Sequence, residues 1–166
     1  MTMPPALRTV SHLFSTAETM LSEILSYLDD DSLRFQPAEG LSSPLRLYAH
    51  LTVQRHRLVN ALCGESGPIP FEQHAGAFAR PTDVLPSKDE VDREWTSISK
   101  RLHETFGRLS KKQLAGPGRG QGVFPTTDET LLGTITFIGH QEAYHLGQIS
   151  YLARMQNKLP EIGHLG

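Results

Sequence analysis

Thr126-Thr-Asp-Glu-Thr-Leu-Leu-Gly-Thr-Ile-Thr-Phe-Ile-Gly-His-Gln-Glu-Ala-Tyr-His-Leu-Gly-Gln-Ile-Ser-Tyr-Leu-Ala-Arg-Met155 carries the reading on which the fold turns. Leu131, Ile135, Ile138, Ile149 and Leu152 recur at helical steps and form one stripe. Leu132, Phe137, Tyr144, Leu146 and Tyr151 fall on the other faces, so the segment is apolar nearly all round. A long helix of that kind is expected at the centre of a fold or at a subunit interface. The pattern Thr126-Thr-Asp-Glu129 reads as a capping box, which places the helix start there and its end near Met155.

Working outward, the same period returns three more times. Leu7, Val10, Phe14, Ala17, Leu21, Ile24 and Leu28 make a first helix, and Asp29-Asp30-Asp31 stops it, because like negative charge is unfavourable at a helix C-terminus. Ser43-Pro44 opens a second with a capping hydroxyl and a proline at the first helical position. It runs through Leu47, Leu51, Leu58 and Leu62 to Gly64. Ser87-Lys-Asp-Glu90 is a capping box for a third, through Val91, Trp95, Ile98, Leu102 and Leu109, with Arg93, Lys100 and Lys111 on its solvated face. Residues 65–86 contain Pro68, Pro70, Pro81 and Pro86 without sustained periodicity, and are expected as a long crossover loop holding at most a short turn of helix. The glycine-rich segment 116–122 follows no strand and is not succeeded by Lys-Ser/Thr, so it reads as a connector and not as a phosphate loop. The expectation is one all-α domain over residues 1–166, an antiparallel four-helix bundle with a long crossover between helices two and three.

Composition narrows the partners. A chain of 166 residues can bury a sizeable core, and 38% hydrophobic with 20% charged residues is ordinary for a globular protein. The net charge of -2 and the absence of a long Lys/Arg cluster argue against nucleic acid, and no apolar run is long enough to span a membrane. With one cysteine, Cys63, there is no intrachain disulfide, and the first residues lack the pattern of a secretory leader, so a cytoplasmic location is expected. Cys63, beside the helix-ending Gly64, reads as a small buried hydrophobe.

Eight histidines stand out against this background. His145 sits on the apolar stripe of the fourth helix, between Ile138 and Ile149, and an inward imidazole must be paired, buried neutral or bound to something. His50 lies beside the stripe of the second helix, and two inward histidines on two helices point to a pair of metal ligands. A third ligand from the fourth helix belongs one turn earlier, since four residues return to within ~40° and rise ~6 Å. That position is Gln141. Two neighbours compete with it: His140, which reaches the same side only through a helical bulge, and Glu142, whose Glu-x-x-His145 spacing occurs in carboxylate-bridged metal bundles. His12, His56, His74, His103 and His164 are expected to be structural or solvated, with His74 in the loop that could cover the pocket.

The segments Glu142-Ala-Tyr-His-Leu-Gly-Gln148, His50-Leu-Thr-Val-Gln-Arg-His-Arg-Leu-Val-Asn-Ala-Leu-Cys-Gly64 and Leu33-Arg-Phe-Gln-Pro37 resemble the DinB/YfiT-like superfamily of metalloenzymes, and the resemblance spans essentially the whole chain. It implies a four-helix bundle, commonly a homodimer, with three histidines holding nickel or zinc: one on helix two, matched by His50, and a His-x-x-x-His pair on helix four. His145 matches the second of that pair, and Gln141 stands where the first is expected. A neutral amide oxygen is a weaker donor than imidazole, so the occupancy of a zinc or nickel ion at His50, Gln141 and His145 becomes the open question. The resemblance further implies a metal-dependent enzyme acting on a small molecule, a thiol-dependent transferase or a hydrolase. The alternative is a non-catalytic homologue whose degenerate metal site serves small-ligand binding or interaction.

Overall fold

The computed structural model describes residues 3–76, 84–118 and 128–159, and these are helical, with no strand among them. Four long helices, α1 (Pro5–Ser26), α3 (Pro44–Cys63), α4 (Lys88–Arg108) and α6 (Leu131–Met155), are accompanied by two short ones, α2 (Asp30–Arg34) and α5 (Lys111–Leu114), and by a 3-10 turn at Glu72–His74. The principal packings are α3 on α4, α1 on α6 and α3 on α6. No helix among the described residues is long and apolar enough to cross a membrane.

The stripes read from sequence are the faces that pack. Leu7, Val10, Phe14, Leu21 and Ile24 of α1 are buried, as are Leu47, Leu51, Leu58 and Leu62 of α3 and Val91, Trp95, Ile98 and Leu102 of α4. Each end has a local cause. The Ser43 hydroxyl accepts from the Arg46 amide, with Pro44 at the first helical position, and Gly64 closes α3 at φ 70° in the left-handed region that glycine tolerates. Ser87 and Glu90 form the reciprocal capping box of α4.

Three boundaries differ from the sequence reading. The aspartates do not terminate the first helix: α1 ends at Ser26, and Asp29 caps α2, accepting from the Ser32 amide, so that Asp30 and Asp31 lie at the positive end of a new dipole. The third helix stops at Arg108, because Leu109 is extended and Ser110 forms a second capping box with Gln113 to start α5. The fourth starts at Leu131 and not near Thr126. Thr130 supplies the cap by accepting from the Gly133 amide, its backbone is bridged to Pro117, and Asp128 accepts from the Thr130 amide. Thr126 and Thr127, and the crossover and connector residues 77–83 and 119–125, lie outside the described residues, as does His164.

Burial is also distributed differently from expectation. The helix enclosed on every side is the first half of α3, where residues 44–53 are all buried beneath α2, the 3-10 turn, α4 and α6. α6 keeps one face outside, with Tyr144, Tyr151 and Met155 exposed. Cys63 is exposed too, contrary to its reading as a core residue: it is the last residue of α3, and its Sγ reaches Thr105 Oγ1 of α4 at 3.8 Å from the edge of the packed region.

Candidate metal centre

α3 and α6 bring His50 and His145 together. Both are buried, their ring centroids are 4.7 Å apart and the planes meet at 76°. Gln141, one turn before His145, lines the same cleft, which encloses about 1010 Å³ and is walled by Leu41, Leu47, Phe137, Ile138, Tyr144, Tyr151, Leu152 and Met155. A cleft of this size with apolar walls and a few convergent polar groups suits a small organic molecule.

The two imidazoles are held in matching tautomers. His50 Nδ1 donates to the His74 carbonyl at 3.2 Å, and His145 Nδ1 donates to Gln148 Oε1 at 2.8 Å. On each ring that leaves Nε2 as the lone-pair nitrogen, the arrangement by which outer partners orient metal-binding histidines. Burial, then the neighbouring His145, pulls His50 down to about 4, and burial lowers His145 despite its bond to Gln148. Both rings are therefore neutral at physiological pH and ready to donate an electron pair.

The crossover contributes more than a cover. Phe71, at φ 61°, turns the chain into the 3-10 turn, and His74 is fully buried there with its Nδ1 accepting from Arg46 Nη1 at 3.2 Å. Arg46 so fixes the segment whose carbonyl orients His50. The sequence marks His74 only as a loop histidine, and nothing in its spacing signals that its backbone would matter.

The competing third ligands go elsewhere. His140 is exposed on a different face of α6. Glu142 is buried, and both of its oxygens accept from Arg55, Oε1 from Nε at 2.6 Å and Oε2 from Nη2 at 2.8 Å, so the carboxylate is committed to a forked ion pair. Arg55 also donates to Glu18 and to Ser99 Oγ, and its guanidinium lies 3.9 Å from the Trp95 ring centroid. Burial would lower the Arg55 pKa, yet Glu142 and Glu18 together raise it, which keeps the cation charged. His103, expected in solvent, stands 2.9 Å from Glu18 Oε1 and extends the network. His12 is exposed and His56 half-buried.

Among the described residues no three His, Cys, Asp or Glu side chains gather in a metal-binding group. The donors at the cleft are two neutral imidazoles with preset tautomers and nearby amides. That set would fit a borderline divalent ion such as zinc or nickel through its imidazoles, and an amide oxygen would add only a weaker donor.

A family model described as the DinB superfamily matches residues 13–149. Among curated proteins no relative matches. The chain is similar in fold to a conserved protein of Enterococcus faecalis known from a crystal structure, with a TM-score of 0.70 over 89% of this chain and 95% of that one, at 16% sequence identity.

Proposed function

We propose, from the premise that this chain belongs to the DinB superfamily, that it is a metal-dependent enzyme of the DinB/YfiT-like type acting on a small molecule as a thiol-dependent transferase or a hydrolase. His50, Gln141 and His145 would hold zinc or nickel. The architecture that goes with this reading is an antiparallel four-helix bundle. It draws support from the opposed order in which α3 meets α6: His50 stands by His145, while the later Arg55 pairs with the earlier Glu142.

The observation that carries the reading is the pair of buried, neutral imidazoles whose Nδ1 hydrogens are both tied to oxygens at the foot of a cleft. A bound divalent ion would supply Lewis acidity, lowering the pKa of a thiol or water beside it. The chain's own groups do the rest. His74 and Gln148 hold the imidazoles in orientation, the apolar wall receives the body of a substrate, and Tyr144 and Gln148 offer polar contacts at its rim. A cytoplasmic, homodimeric protein completes the proposal, supported by the solitary exposed thiol of Cys63 and the outward aromatic face of α6.

The test is elemental analysis of protein purified without a metal column. Stoichiometric zinc or nickel is the expected result, and loss of that metal in His145→Ala with the fold retained assigns the site. Metal-free protein that takes up neither ion on dialysis would overturn the reading. One observation favours a second reading: the third corner is an amide. In that case the cleft is a degenerate, non-catalytic ligand site, and Gln141→His would create tight binding that the parent lacks.

A further inference from the structure

Among the polar groups of the cleft that the three-residue site leaves unused, Gln54 stands apart. Gln54 lines the cleft beside His50, and its Oε1 is buried with no hydrogen-bond partner among the described residues. A buried acceptor without a partner is costly, and in a folded protein it signals something that comes to meet it, a donor or a cation.

Its position on the helix says which. Gln54 follows His50 by one turn of α3, just as Gln141 precedes His145 by one turn of α6, and each four-residue step returns to nearly the same side of its helix. Contacts between the helices run in opposite order, His50 against His145 and Arg55 against Glu142. The pairs His50-x-x-x-Gln54 and Gln141-x-x-x-His145 therefore lie side by side and reversed, which sets Gln54 level with Gln141. We infer that Gln54 is the fourth corner of the cation site, so that two imidazole nitrogens and two amide oxygens, drawn equally from α3 and α6, hold one divalent ion. This rests on the metal reading above and deepens it. Four neutral donors leave the ion's full double charge, so the site favours a bound anion, thiolate or hydroxide, over a neutral ligand.

Nickel(II) and zinc(II), each alone, are titrated calorimetrically into the metal-stripped full chain and into Gln54→Met, Gln54→Glu and His50→Ala. Gln54→Met is expected to weaken binding by at least ~10-fold, while the metal-free variant melts at or above the parent temperature because the unpartnered acceptor is gone. Gln54→Glu, which adds a charged oxygen at the same place, is expected to tighten binding. If Gln54→Met binds as the parent does, or Gln54→Glu brings no gain, while His50→Ala abolishes binding, the fourth corner is wrong and the histidine site stands. If the parent binds neither ion, both fall.

Discussion

Arg55 is the centre of a polar network that ties together four helices. It is fully enclosed, and it joins α3 to Glu142 of α6, Ser99 of α4 and Glu18 of α1 while stacking on Trp95. Removing one partner of a buried pair strands the other charge, so Arg55→Met is expected to cost about 3–5 kcal/mol, read from urea unfolding. Adding Glu142→Leu should restore a large part of that loss, because both charges are then absent. A double variant no more stable than the single one would contradict this account. The pair also explains what could be read at this scale. His50 and His145 were legible because each puts an imidazole on or beside an apolar stripe. Glu142 looked like a ligand by its spacing to His145, but spacing along one helix says nothing of what stands opposite, and Arg55 lies 87 residues away. Gln54, Gln148 and the His74 carbonyl carried no signal, since amides and backbone oxygens are unremarkable in any pattern.

Elements were legible where a cap coincides with the onset of an apolar stripe, as at Ser43 and Ser87, and misplaced where charge alone was used. Three aspartates are as compatible with the start of α2 as with the end of α1, and only the side-chain bond from Asp29 to the Ser32 amide decides it. The start of α6 is set by the Thr130 cap together with the close approach of Asp128 to Gly133. A Cβ on Gly133 would run into the Asp128 carbonyl oxygen, whereas one on Gly147 meets nothing. Gly133→Ala should therefore destabilise by roughly 1–3 kcal/mol as the entry turn shifts. Within one subunit, Gly147→Ala should leave stability unchanged or raise it by up to about 1 kcal/mol, the ordinary gain of alanine over glycine in a helix. Thermal melts of the two variants moving in the same direction would refute the contrast. Between elements, Glu18 ties α1 to α3 and α4. Burial would raise its pKa, but His103 and Arg55 hold it below its ordinary 4.5. A carboxyl depressed in the folded state stabilises the fold above its unfolded pKa and loses that contribution as pH falls through the folded value. Stability should thus decline below about pH 4.5, and Glu18→Gln should flatten the decline in urea midpoints measured across that range.

At the scale of the whole molecule, periodicity gives four long helices but not which of them is central. α3 is enclosed because α2 and the 3-10 turn close over it, and both come from segments that read as helix end and loop. α6, the more apolar sequence, is left with an outer face on which Tyr144 is 58% and Tyr151 65% exposed, on either side of Gly147 with open space above it. Intrachain packing gives no reason for a glycine there, since an added Cβ would touch nothing. In the proposed homodimer these two rings and the open space between them would meet their own copy across a two-fold axis, each copy setting a tyrosine against the other's glycine. A dimer through α6 would also roof the cleft, since Tyr144, Gly147 and Tyr151 line it, and so would couple subunit association to ligand binding. The expected outcome is a dimeric mass by light scattering at micromolar concentration, and a monomeric mass for Gly147→Arg, which fills the notch with charge while leaving the monomer's own contacts intact. A parent that is monomeric under those conditions would leave the outward face of α6 as the rim of the cleft alone, and a Gly147→Arg variant that stays dimeric would move the interface elsewhere, with the exposed Leu13, Met20 and Tyr27 of α1 and its end the next surface to probe.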